Sequence, residues 1–136
     1  MTTINEQINI ESHTIKWAID LMRANLLTVD NSFQRNYVWL EKHQIKLIET
    51  ILMGFPIPEI YLWQKDTDAQ TGAMKLSIID GQQRLGAILD FINDEFALTS
   101  SILDEENVKS EFTGKKFSEL KDEFKSAIWK FKLSVR

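Results

Sequence analysis

A chain of 136 residues is the length of one domain, and at 43% apolar and 26% charged it has the composition of a soluble globular protein with enough apolar residues for a real core. It contains no cysteine, which excludes disulfides, thiolate metal sites and cysteine-based nucleophilic catalysis and is compatible with a reducing cytoplasm, the expected location. A net charge of −4 and a pI near 5.2 argue against coating nucleic acid by bulk electrostatics.

That charge is uneven. Residues 1–108 hold 8 Lys/Arg against 16 Asp/Glu, whereas residues 109–136 hold 8 against 4, so the C-terminal quarter is basic. A basic stretch of this kind suits either a solvated helix face or a phosphate backbone. The first residues lack a basic region followed by an apolar one, so no signal peptide is expected. No apolar run approaches the ~20 residues of a membrane span.

In chain order, Ser12 or Thr14 can cap a first helix near Thr14 to Asn25, with Ile15, Ala18, Ile19, Met22 and Leu26 along one side. Leu27-Thr28-Val29 predicts a strand and Asp30-Asn31-Ser32 a turn. The next seven residues, Phe33-Gln34-Arg35-Asn36-Tyr37-Val38-Trp39, are dense in aromatics. Tyr37 and Trp39 fit a core, but a buried Arg35 would need an acidic or phosphate partner. From Glu41, the spacing of Ile45, Ile48, Ile51 and Leu52 predicts a second helix. Gly54 stands where a left-handed C-terminal cap belongs, and Pro56 and Pro58 prevent continuation.

Ile60-Tyr61-Leu62-Trp63 predicts a strand, and Asp66 to Gly72 a polar loop. Leu76, Ile78 and Ile79 predict a second strand pairing antiparallel with the first. Gly81 then frees the backbone to turn, and Leu85, Ile88, Leu89 and Ile92 place a helix over Gln82 to about Asn93. Beyond it, Phe96-Ala97-Leu98 predicts a short strand and residues 112–117 a turn. Ser118 would cap a last helix carried by Leu120, Phe124, Ile128 and Phe131, and Leu133 to Arg136 would open another strand, as in a piece of a longer protein.

His13 and His43 lie on different predicted elements without metal-ligand spacing, so each reads as a surface or capping residue. Thr113-Gly114-Lys115-Lys116 is no P-loop, lacking the earlier glycine, the preceding strand and a hydroxyl residue after the lysines. What remains is Asp80-Gly81-Gln82-Gln83-Arg84, where a strand delivers into a helix start whose unpaired N–H groups and dipole favour an anion, phosphate being the usual one. Asp80 could cap the helix or bind Mg²⁺ together with phosphate oxygens. Arg84 suits bidentate phosphate binding. Gln82 or Gln83 could orient an attacking water or read a base or sugar edge.

Three motifs in order, Phe33 to Trp39, the helix end Ile51 to Pro58, and Asp80 to Leu85, resemble the N-terminal domain of GmrSD-type restriction endonucleases. The likeness runs on to Gly114-Lys115-Lys116-Phe117 with Leu120. That family is similar in fold to ParB and sulfiredoxin, which implies an α+β domain over residues 1–136, a small mixed sheet flanked by helices. In ParB and sulfiredoxin the residues after the equivalent strand hold CTP or ATP phosphates. The resemblance thus implies Asp80, Gln82 and Gln83 as catalytic residues, and Gln34, Arg35, Tyr37, Gly81 and Arg84 as nucleotide-binding ones. Asp80 would be the metal ligand for Mg²⁺, and the base of the nucleoside triphosphate is open. It further implies hydrolysis that governs cleavage of modified phage DNA, with an HNH-type nuclease domain in the full-length protein or a separate subunit. Sulfiredoxin's reductase chemistry needs a cysteine and is excluded. Gly86-Ala87 depart from the hydroxyl residues family members often carry there, which removes possible phosphate contacts. The other reading is a non-catalytic DNA- or partner-binding module of a defence or toxin–antitoxin system, using Lys115, Lys116 and Lys121.

Overall fold

Thr14 begins the first helix as the sequence requires. In the computed structural model, which describes residues 10–29, 39–99 and 111–136, its hydroxyl accepts the Trp17 N–H at 3.2 Å, and helix α1 runs Ile15–Arg23. Ser12 is not the cap. It lies in a strand, β1 (Glu11–Thr14), that the sequence did not suggest. The chain divides into two compact units, one drawn from residues 1–34, 58–82 and 132–136, the other from 35–57 and 83–131.

The first unit is organised by strands. β2 (Leu27–Val29) pairs parallel with β4 (Met74–Asp80), and β3 (Tyr61–Thr67) pairs antiparallel with the other edge of β4, giving a mixed sheet in the order β2-β4-β3. β5 (Lys132–Val135) pairs antiparallel with β1, in the register Glu11 opposite Val135. A parallel bridge between Ile60 and Val135, with Arg136 N–H donating to the Ile60 carbonyl at 2.8 Å, joins the two sheets edge to edge. The buried apolar residues of this unit include Ile15, Ile19, Leu27, Ile60, Ile78 and Leu133. β3 extends to Thr67, opposite Met74, so the loop begins later than the sequence suggested. There the Asp68 carboxylate accepts the Gln70 and Thr71 amides at 2.8 and 3.2 Å, an Asx turn that replaces ladder bonds.

The second unit contains α2 (Glu41–Leu52), most of α3 (Gln82–Ile92) and α4 (Asp122–Lys130). α2 ends in a Schellman motif: Gly54 adopts φ 79°, its N–H donates to the Ile51 carbonyl, and the Phe55 N–H donates to the Thr50 carbonyl. Edge-on aromatic contacts run through this unit, Phe91 to Phe117 at 6.0 Å, Phe117 to Trp129 at 5.9 Å and Phe112 to Phe124 at 4.5 Å.

Two expectations are corrected here. Phe96-Ala97-Leu98 is not a strand: Leu98 alone bonds the turn near Gly114 and Lys115, and one residue's pair of bonds makes no ladder. Ser118 does not cap the last helix. It sits within a 3₁₀ turn, Phe117–Glu119, and Leu120 is extended at ψ 153°, so the helix starts only at Asp122. The mixed α+β class stands, and among the described residues no helix is long and apolar enough to cross a membrane.

Candidate functional site

The apolar run Ile78-Ile79 carries β4 to its last residue, Asp80, opposite Tyr61. Gly81 follows at φ 108°, a backbone conformation that a side chain would strain, and it is buried. α3 begins at the next residue, so Gln82, Gln83 and Arg84 form its first turn, where N–H groups lack intrahelical acceptors. The boundary between the two units falls between Gln82 and Gln83.

The two glutamines differ sharply. The Gln83 Oε1 accepts the backbone N–H of Trp39 at 3.1 Å, fixing the residue that closes the aromatic-rich segment. Both polar atoms of the Gln82 carboxamide are buried, and neither has a hydrogen-bond partner among the described residues. Arg84 is half-buried, and both it and Asp80 take part in further polar, ionic or ring interactions. Gln34, Arg35 and Tyr37 lie outside the described residues.

Among the described residues no three His, Cys, Asp or Glu side chains cluster. His43 is a capping residue, its Nδ1 accepting the Leu40 N–H at 3.1 Å, and His13 stacks on Trp17 at 3.8 Å with Nε2 2.8 Å from the Glu11 carboxylate.

Elsewhere in the first unit a groove of about 600 Å³ is lined by Trp17, Trp63, Met74 and Arg136 among others. Its arginine is held by Glu59 at 3.1 Å and lies over the Tyr61 ring, so it offers aromatic surface more than a phosphate seat. In the basic C-terminal quarter, Lys121 pairs with Glu111 at 3.4 Å. Asp122 and Glu123 open α4 and Lys130 closes it, an order that matches the helix dipole. Sequence reading passed over Glu49, which is 1% exposed in α2 with one carboxylate oxygen 2.9 Å from Lys46 Nζ and the other buried without a partner among the described residues. Its spacing, four residues after the core residue Ile45 and so on the same helix face, was the available signal.

Neither the curated proteins nor the solved structures yield a match to this chain. Among protein-family models, the GmrSD restriction endonuclease N-terminal domain matches residues 18–135, which takes in β4, Gly81 and α3. A match over so much of the sequence means that the chain belongs to the family of GmrSD restriction endonuclease N-terminal domains and is a module of restriction systems.

Proposed function

We propose that Asp80 to Arg84 binds the polyphosphate of a nucleoside triphosphate with Mg²⁺, and that hydrolysis there governs cleavage of modified DNA by an accompanying HNH-type nuclease domain. The observation that carries this reading is the Gln82 carboxamide, buried without a partner among the described residues at the first residue of α3. An unmade buried hydrogen bond costs about 1–3 kcal/mol, and a ligand that supplies the missing partners recovers it. The resemblance of this turn to the phosphate-holding turn of ParB and sulfiredoxin supports the same reading.

In this scheme the first-turn amides of α3 and the Arg84 guanidinium bind phosphate oxygens, and the family resemblance names Gln34, Arg35 and Tyr37 as further nucleotide-binding residues. Gly86 and Ala87 bring no hydroxyl, so in this scheme phosphate contacts rest on the amides, Arg84 and Gln82. Asp80 would hold Mg²⁺, which neutralises charge on the β- and γ-phosphates. Water attacks the γ-phosphorus, the bond to the bridging oxygen breaks, and nucleoside diphosphate and inorganic phosphate leave.

Phosphate release with Mg²⁺ and each of ATP, GTP, CTP and UTP, by the wild-type chain and by Arg84→Ala, tests this. Losing a charge-assisted hydrogen bond costs about 1.5–3 kcal/mol, so the variant should be slower by roughly tenfold or more. No release by the wild type with any nucleotide, or equal rates in both proteins, overturns the hydrolytic reading.

A further inference from the structure

We infer that the adjacent glutamines have different tasks: Gln82 meets the bound nucleotide directly, and Gln83 is a positioning residue that fixes the chain at Trp39. The inference rests on the nucleotide reading above and goes beyond it by separating two residues that sequence leaves equivalent. Successive residues of a helix point about 100° apart, so one ligand does not engage both in the same way. Gln83 has already spent its carbonyl oxygen on the Trp39 N–H, at 3.1 Å.

Gln82 is the opposite case. Its Oε1 and Nε2 are both buried and both without a partner among the described residues, although a primary amide carries two donors and an acceptor. Native proteins rarely tolerate such a group unless something else completes its hydrogen bonds. Nε2 is suited to donate to a phosphate oxygen. Oε1 is suited to accept from a sugar hydroxyl or from the attacking water. A carboxylate side chain could accept those last bonds, but it has no donor for a phosphate oxygen and would repel it.

The same substitution at the two positions should therefore act with opposite sign. Gln82→Leu removes two unsatisfied buried atoms with little change in volume, so without nucleotide its Tm should rise by a few degrees. Its affinity for Mg²⁺ and nucleoside triphosphate, read by calorimetry, should fall on the order of tenfold. Gln83→Leu orphans the Trp39 N–H and should lower the Tm without nucleotide. Gln83→Glu, whose carboxylate accepts the same N–H, should restore the Tm without nucleotide. A Gln82→Leu protein that melts lower and binds nucleotide as the wild type does overturns the assignment. So does a Gln83→Glu protein that recovers nothing. A wild-type chain that responds to no nucleotide overturns this inference and the nucleotide reading together, whereas a responsive wild type with an equally responsive Gln82→Leu overturns only the inference.

Discussion

Asp94 reaches across 24 residues to Ser118: its Oδ1 accepts the Ser118 backbone N–H at 2.9 Å. Asp94 itself sits just past α3 with φ 62°, the left-handed conformation that ends many helices, and its side chain then organises the 3₁₀ turn before α4. The bond to Ser118, with Lys116 and Lys125 nearby, holds the Asp94 carboxyl below its ordinary pKa. A carboxylate depressed in the folded state adds stability that is present above the unfolded pKa and disappears as pH falls through the folded one. Replacing Asp94 with Asn should therefore lower Tm at neutral pH and make little difference in strong acid, as a pH series of thermal melts will show.

Asp90, one turn earlier in α3, has the reverse sign. Burial, and next the charge of Glu95, push its carboxyl above the usual range. Its ionised form is therefore disfavoured in the fold, a cost that appears as pH rises past the unfolded pKa. Asp90→Asn should raise Tm at pH 7, and the gain should vanish below the carboxylate range.

Two glycines separate backbone effects from space. A Cβ at Gly54 or at Gly86 would meet nothing within 4 Å. Gly54 is left-handed at φ 79°, so Gly54→Ala should cost about 1–2 kcal/mol in denaturant unfolding. Gly86 is inside α3 and has no such constraint, so Gly86→Ala should add about 0.5–1 kcal/mol.

How much of this was legible in the sequence depends on how local the cause is. The β4 strand, the Gly81 turn and α3 follow from an apolar β-branched run, a glycine and helical spacing, and all three appear where expected. The Gly54 cap is equally local. β1 was invisible because Glu11-Ser12-His13-Thr14 has no apolar alternation; it is a strand because β5, more than a hundred residues later, pairs with it. Ser118 carries a capping side chain, yet its amide answers to Asp94 from 24 residues away. Nothing local separates Gln82 from Gln83. Their difference arises where Trp39 is brought to one of them.

Glu49 offers a test of a buried carboxyl group. Its ion-pair partner Lys46 is half exposed, and the second oxygen has no partner among the described residues. Replacing a buried ion pair's member by an apolar side chain of similar volume is often neutral or stabilising, whereas removing the partner leaves the buried group alone. Glu49→Met should change unfolding free energy little or raise it by about 1 kcal/mol, and Lys46→Ala should lower it by roughly 1–3 kcal/mol.

The central claim is that the turn from Asp80 to Arg84 captures a nucleoside triphosphate, and titration calorimetry addresses it most directly. Each of the four nucleotides, as a non-hydrolysable analogue with Mg²⁺, is titrated into the wild-type chain and into Arg84→Ala. Saturable binding of at least one nucleotide, weakened by about tenfold or more in the variant, is the predicted result. Absence of binding to any of the four, or equal affinity in the two proteins, would contradict it.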